Sequence, residues 1–393
     1  MDRRGHGLIP THARIRALTG GFMRFPSTRP SSVLGASLLA FGVLLVVRSA
    51  HPSAQVAPTA AAGASRLAHG EYLVKTGGCN DCHTPWKLGD NGPEPDMSKM
   101  LMGHPAGLVA NDPPGLQLPW IGSASSTMTS WSGPWGRSYT ANLTSDRETG
   151  IGAWTERQFI DTIRSGKHWG NGRPLLPTMP WPAFRNLADD DLAAIFAYLQ
   201  TVPAIRNKVP DPVVAPGPPP EPLPTTKLLK VAPGQADPVS RGRYLVTAKG
   251  CGDCHTPMKM GSKGPEYDMT RMLSGFDARG AVPPMPPIEG AGEVYVLEPA
   301  FAGGWGMSFA ANLTSDVETG LGSWTEQQFL DTLRNGRHQG RGRQLVPPMP
   351  WQIFGQMNDA DLKAIFAYLR TVPAVKNKVP DPVAPAPSAS SKR

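Results

Sequence analysis

Cysteine is scarce in this chain, with four in 393 residues, and all four fall in two tight pairs. A disulfide framework is disfavoured, because both pairs, Cys79-Asn80-Asp81-Cys82 and Cys251-Gly252-Asp253-Cys254, carry a histidine at the same next position, which disulfides do not need. The inner cysteines are 169 residues apart. A four-cysteine zinc site brings its pairs within about 15 to 20 residues, so that spacing argues against zinc. The βαβ setting of a thioredoxin-like redox pair is missing too, since the flanks read as glycine-rich loop and helix. Positive charge is lacking outside the leader: residues 1–48 hold seven arginines against Asp2, a net of +6 out of a total of +8. A nearly neutral remainder disfavours nucleic acid as a partner. No strand pattern competes with the helical ones, so the sequence predicts an all-α fold.

Long apolar runs are lacking as well. The longest, residues 33–47, has fifteen residues, whereas a comfortable membrane span needs ~17 to 25. It follows the arginine-rich leader, which is the order of an export element with the arginines left in the cytoplasm. Cleavage favours small residues at −3 and −1, but Ala50 has Arg48 at −3, Ala54 has Pro52 and Ala60 has Pro58. The expectation is an uncleaved signal anchor tethering the chain to the membrane, with a cleaved signal peptide as the alternative.

What is present is a duplicated Cys-x-x-Cys-His. Two cysteines on one helical turn point their thiols the same way and suit thioether bonds to the two vinyl groups of one haem, with the histidine under the iron. Two copies predict two covalently bound haem c groups, at Cys79, Cys82 and His83 and at Cys251, Cys254 and His255.

The copies belong to a longer repeat. Gly70-Glu71-Tyr72-Leu73-Val74 returns 172 residues on as Gly242-Arg243-Tyr244-Leu245-Val246, and Asn-Lys-Val-Pro-Asp-Pro-Val closes both units. A period so long means tandem domains rather than a solenoid, whose repeats run to about 20 to 50 residues. The expected organisation is a basic leader at 1–32, the signal anchor at 33–48, an Ala/Pro-rich tether at 49–65 and a first domain at 66–213. A proline-rich linker at 214–238, a second domain at 239–383 and a disordered tail at 384–393 follow.

Each unit reads as three helices. The first enters the cysteine motif near 70–75 and 242–247. The second opens with the capping box Thr155 to Gln158, carries Phe159 and Ile163 on one face and stops at Gly166; Thr325, Gln328, Phe329, Leu333 and Gly336 repeat it. The third places Leu192, Ile195, Phe196 and Leu199 at helical spacing after acidic Asp189, Asp190 and Asp191, and Leu362, Ile365, Phe366 and Leu369 copy it. Between the second and third lie Met179-Pro180-Trp181 and Met349-Pro350-Trp351. A soft thioether opposite histidine favours Fe(II), so Met179 and Met349 are the candidate sixth ligands. His168 and its twin His338 are the rivals, and packing is the plainer role of any methionine. Trp154 and Trp324 read as core residues at a helix start before donors to a haem propionate. Asn142-Leu143-Thr144 matches a glycosylation sequon and is better read as loop.

Cys-x-x-Cys-His, the later Met-Pro and the last amphipathic helix resemble class I cytochrome c. Asn142-Leu143-Thr144-Ser145-Asp146 with Gly150-Ile151-Gly152, and Met179-Pro180-Trp181 with Asp191-Leu192, more specifically resemble cytochrome c subunits of bacterial membrane-bound dehydrogenases and related dihaem cytochromes. The resemblance covers about residues 66–213 and 239–383. It implies two tandem all-α class I domains, haem added after export, and one-electron transfer on the periplasmic side of the inner membrane. The partners implied are a dehydrogenase or quinol oxidoreductase as donor and a cytochrome or oxidase as acceptor. On the matching positions Cys79, Cys82, Cys251 and Cys254 form the thioethers, His83 and His255 are proximal ligands, and Met179 and Met349 distal ones. Two departures stand out: such subunits usually carry three haem motifs where this chain has two, and 96 residues separate His83 from Met179. The alternative reading is a dihaem enzyme such as a peroxidase, which needs unlike halves and one open iron position. Both halves here carry the same Met-Pro-Trp, so the expectation is a carrier and not an enzyme.

Overall fold

The computed structural model describes residues 60–90, 92–109, 120–216, 237–262, 264–286, 288, 294–297 and 299–385. The leader, the apolar stretch at 33–47, most of the proline-rich linker and nearly all of the tail lie outside the described residues. Among the described residues no helix is long and apolar enough to cross a membrane.

In the first repeat α1 (Ala60–Thr76) leads into the cysteine turn α2 (Cys79–His83), the hairpin β1 (Trp86–Gly89) and β2 (Gly92–Pro95), and the strands β3 (Gly122–Ala124), β4 (Ser130–Gly133) and β5 (Gly136–Tyr139). Helix α3 (Glu156–Ser165), the single turn α4 (Trp181–Phe184), α5 (Asp189–Leu199) and the short β6 (Val213–Val214) complete it. The second repeat follows the same order through α6 (Pro238–Ala248), α7 (Cys251–His255), β7 (Met258–Gly261), β8 (Gly264–Tyr267), β9 (Val294–Leu297), β10 (Ala300–Gly303) and β11 (Gly306–Phe309). It ends with α8 (Glu326–Asn335), α9 (Trp351–Phe354) and α10 (Asp359–Leu369).

The helical expectations hold in detail. Thr155 and Gln158 cap α3 reciprocally, as Thr325 and Gln328 cap α8, and Gly166 and Gly336 end these helices in the left-handed region at φ 67° and 68°. Phe159 of α3 meets Phe196 of α5 with ring centroids 5.5 Å apart, and Phe329 meets Phe366 at 5.2 Å. Leu192, Leu199, Leu362 and Leu369 are all buried in the same core. Helix α1 crosses α5, and α6 crosses α10, at backbone contact: a Cβ on Gly70 would fall 1.9 Å from the Ala194 carbonyl oxygen, and one on Gly242 1.8 Å from that of Ala364. Only glycine permits so close a crossing.

The all-α expectation is overturned. The structure is mixed α/β, with a seven-stranded antiparallel sheet in the order β11-β10-β9-β3-β4-β5-β6 and the two separate hairpins. The chain is therefore not a pair of purely helical cytochrome c domains. Each repeat supplies a three-stranded meander, and the meanders join edge to edge through β3 and β9, with Gly122 opposite Val296, Ser123 opposite Tyr295 and Ala124 opposite Val294. Joining them covers two edges that would otherwise expose unpaired amides. At the outer ends Val213 and Val214 pair with β5, and Val383 bridges Met307. The pattern was invisible because Gly-Ser-Ala, Ser-Trp-Ser-Gly and Gly-Arg-Ser-Tyr show no apolar alternation and are rich in poor strand formers. Their ordering comes from partners distant in sequence.

The repeats also meet through their helices, reciprocally. Tyr72 of α1 donates to Asp361 Oδ2 of α10 at 2.7 Å, and Tyr244 of α6 donates to Asp191 of α5. Each tyrosine hydroxyl also accepts the backbone amide at the start of the opposite helix, Ala188 at 2.9 Å and Asn358 at 3.3 Å. Asp361 is held in addition by the Arg241 guanidinium at 2.8 and 3.1 Å, and Asp191 by His69 at 2.7 Å. Such an exchange of equivalent contacts is that of a two-fold interface, made here within one chain.

Candidate functional site

Each cysteine turn is entered through a left-handed glycine, Gly78 at φ 72° and Gly250 at φ 67°, which lets the chain break out of α1 or α6 and restart at once. All four thiols are free. Burial in apolar surroundings pushes Cys79 up to about 11, and Cys82 and Cys251 to about 12. Thiols so placed stay protonated and are poor as thiolate nucleophiles or metal ligands.

His83 and His255 are buried, and the Nδ1 of each lies 2.7 Å from a backbone carbonyl, Ala141 O and Ala311 O respectively. A carbonyl only accepts, so Nδ1 carries the proton and Nε2 keeps its lone pair. Burial lowers both pKa values, against the opposing pull of the carbonyls, and so favours the neutral, metal-ligating form.

The Asn-Leu-Thr segment positions that carbonyl. Asn142 is buried; its Oδ1 accepts from the Thr144 amide at 3.0 Å and the Thr144 hydroxyl at 2.7 Å, while Nδ2 donates to Ile205 O at 2.8 Å. Asn312 and Thr314 repeat the arrangement. The sequon is thus a buried structural turn, in keeping with the loop reading. Asn207 adds a brace, donating to Met102 O at 2.7 Å and His104 O at 2.9 Å, while Gly103 donates to His83 O at 2.8 Å.

Met179 and Met349 lie half-buried at the edge of the core cluster that Cys79 and Cys251 also touch. Their loops are pinned by the unforeseen sheet: Ser138 of β5 donates to Pro177 O at 2.9 Å, and Ser308 of β11 to Pro347 O at 2.6 Å. On the other side the tryptophans wedge the loops against α3 and α8, where a Cβ on Gly166 or Gly336 would lie 2.3 Å from the indole of Trp181 or Trp351. His168 and His338 pack edge-on against Trp154 and Trp324, at centroid distances of 5.1 and 5.0 Å. Both tryptophans pack on the core, as read from the sequence.

These residues fit a covalently attached haem. Two cysteines share a turn, a neutral histidine presents Nε2, and beside the second turn Arg271 keeps a buried Nε without a hydrogen-bond partner among the described residues. That orphan donor, two residues before the Leu273 amide bonded to Thr256, suits a carboxylate such as a haem propionate. Sequence reasoning missed the seam between the repeats. Lys249 of that seam donates to Thr76 Oγ1 at 2.9 Å.

No family model matches the chain. It is 29% identical over 324 residues to the cytochrome c subunit of a quinone-type alcohol dehydrogenase of Gluconobacter oxydans, covering 79% of this chain and 55% of that subunit. It is 29% identical over 322 residues to the gluconate 2-dehydrogenase cytochrome c subunit of Pantoea cypripedii, covering 78% and 59%. It is 28% identical over 248 residues to a dihaem cytochrome c-type protein of Cereibacter sphaeroides, covering 60% and 71%. The chain spans little more than half the length of the first two relatives. It is homologous to cytochrome c subunits of bacterial dehydrogenases, and its two cysteine pairs are consistent with two covalently attached haem c groups.

Proposed function

We propose that this chain is a dihaem electron carrier, tethered on the periplasmic side of the bacterial inner membrane. It passes single electrons from a dehydrogenase or quinol oxidoreductase towards a cytochrome or oxidase and catalyses no reaction itself. The carrying observation is that both attachment turns present the same set: two thiols, a neutral histidine with Nε2 available, and a methionine loop braced from two sides. Cys79 and Cys82, with Cys251 and Cys254, are the attachment residues; His83 and His255 the proximal ligands; Met179 and Met349 the distal ones. Bound haem supplies a one-electron Fe(III)/Fe(II) couple. The chain's residues hold it, fix the imidazole through Ala141 or Ala311, and limit water with the surrounding core. The edge-on packing of His168 and His338 on tryptophan favours methionine over histidine as the sixth ligand. The matching halves favour transfer over catalysis, since an enzyme needs one position open.

The test is carbon monoxide binding with a reductive titration. The reading predicts two electrons taken up per chain and weak binding of carbon monoxide by the reduced protein at neutral pH. Stoichiometric binding at one haem, with turnover of peroxide, would replace the carrier with a dihaem enzyme.

A further inference from the structure

The two repeats match closely at their seam, and one position breaks the match. Tyr72 corresponds to Tyr244, and Asp191 to Asp361, but Lys249 falls 172 residues after Gly77, which has no side chain to offer. A Cβ on Gly77 would lie 2.7 Å from the Leu73 carbonyl oxygen. A single ammonium therefore stands where an exact repeat would place two.

Its position is defined. Lys249 Nζ donates to the Thr76 hydroxyl of the opposite repeat at 2.9 Å, and that fully buried hydroxyl donates onward to Tyr72 O at 2.7 Å. Thr76 is three residues before Cys79, and Lys249 two before Cys251, so the ammonium sits between the two attachment turns. It acts electrostatically on both thiols, drawing Cys79 and Cys251 down against the larger effect of burial. The nearby carboxylates are engaged elsewhere, Asp361 with Arg241 and Tyr72, Asp191 with His69 and Tyr244. Lys249 has no ion pair among the described residues. Burial draws it down to about 8, with Cys79, Asp361, Asp191 and Cys251 pulling the other way, so it is mostly charged at neutral pH. A cation kept at a seam without its own counter-ion costs stability unless something else makes use of its field.

Resting on the reading of the chain as a dihaem carrier, we propose that Lys249 is a tuning residue for the haem pair. Its one ammonium, anchored on Thr76 between the attachment turns, raises the reduction potential of both haems together. Each haem loses one unit of positive charge on taking up an electron, so a fixed cation nearby disfavours the oxidised form. One lysine shared across the seam acts on both sites, where two would repel each other.

The test is an equilibrium redox titration of the full chain, with haem content measured alongside. Lys249→Met should lower both midpoint potentials, by roughly a tenfold change in the reduction equilibrium, about 59 mV for a one-electron couple. Lys249→Arg, which keeps the charge, should stay near the unmutated values. Thr76→Val, which removes the anchor and keeps the charge, should move them far less than Lys249→Met. Two haems with unmoved potentials in Lys249→Met, or equal shifts in Lys249→Met and Thr76→Val, would overturn the inference and leave the carrier reading standing. Lys249→Gln is the second neutral variant. If neither neutral variant matures with two haems while Lys249→Arg does, the charge serves folding and the inference fails. Fewer than two haems in the unmutated chain would instead fail the carrier reading.

Discussion

At the scale of residues, chemistry is set by what each side chain is tied to. The hydrogen bond from His83 Nδ1 to Ala141 O leaves one ring nitrogen for a metal, and Asn142, next in sequence, holds the carbonyl in place. Met179→Ala, in a loop braced by Ser138 and Trp181, should open one haem to carbon monoxide, and Met349→Ala the other. Optical titration of the reduced variants checks this, and continued exclusion would remove these methionines as ligands. The attachment turns were legible in the sequence because Cys79, Cys82 and His83 need only each other to be recognised. Lys249 and Tyr72 were not, because their partners lie 173 and 289 residues away. A trace of Lys249 was visible as the residue at which the repeat fails.

At the scale of elements, the crossing of α1 over α5 fixes where the cysteine turn begins. Gly70→Ala places a methyl against the Ala194 backbone, which cannot move aside as a side chain could, so the helices must separate. The expected cost is about 3 kcal/mol, read as a lowered denaturant midpoint, and Gly242→Ala should do the same in the second repeat. A neutral result would mean that the crossing is looser than its geometry. Capped helices such as α3 could be read because Thr155, Gln158 and Gly166 act within a dozen residues. The strands could not, since Ser-Trp-Ser-Gly becomes β4 only when β3 and β5 flank it. Yet they matter to the site, because Ser138 and Ser308 fasten the methionine loops.

At the scale of the whole molecule, a shared sheet and a reciprocal helical seam join the repeats. Asp191 is buried, which by itself would raise its pKa, but the hydrogen bonds from His69 and Tyr244 outweigh this and hold it below 3.8. A depressed carboxylate contributes stability that is present above its unfolded value and lost as pH falls through the folded one. Melting temperature should therefore drop as pH falls below about 4. Asp191→Asn should melt several degrees lower at pH 7 and show a shallower acid decline, and parallel acid curves for the two proteins would contradict this. The seam also keeps the two attachment turns a fixed distance apart.

The central claim is that each turn carries one covalent haem. The direct measurement is a pyridine haemochrome count on the purified chain after acid–acetone extraction, alongside intact mass. The account predicts two haems per chain, retained through extraction, with none of the four cysteines open to alkylation. A count near one or zero, or four alkylatable thiols, would contradict it.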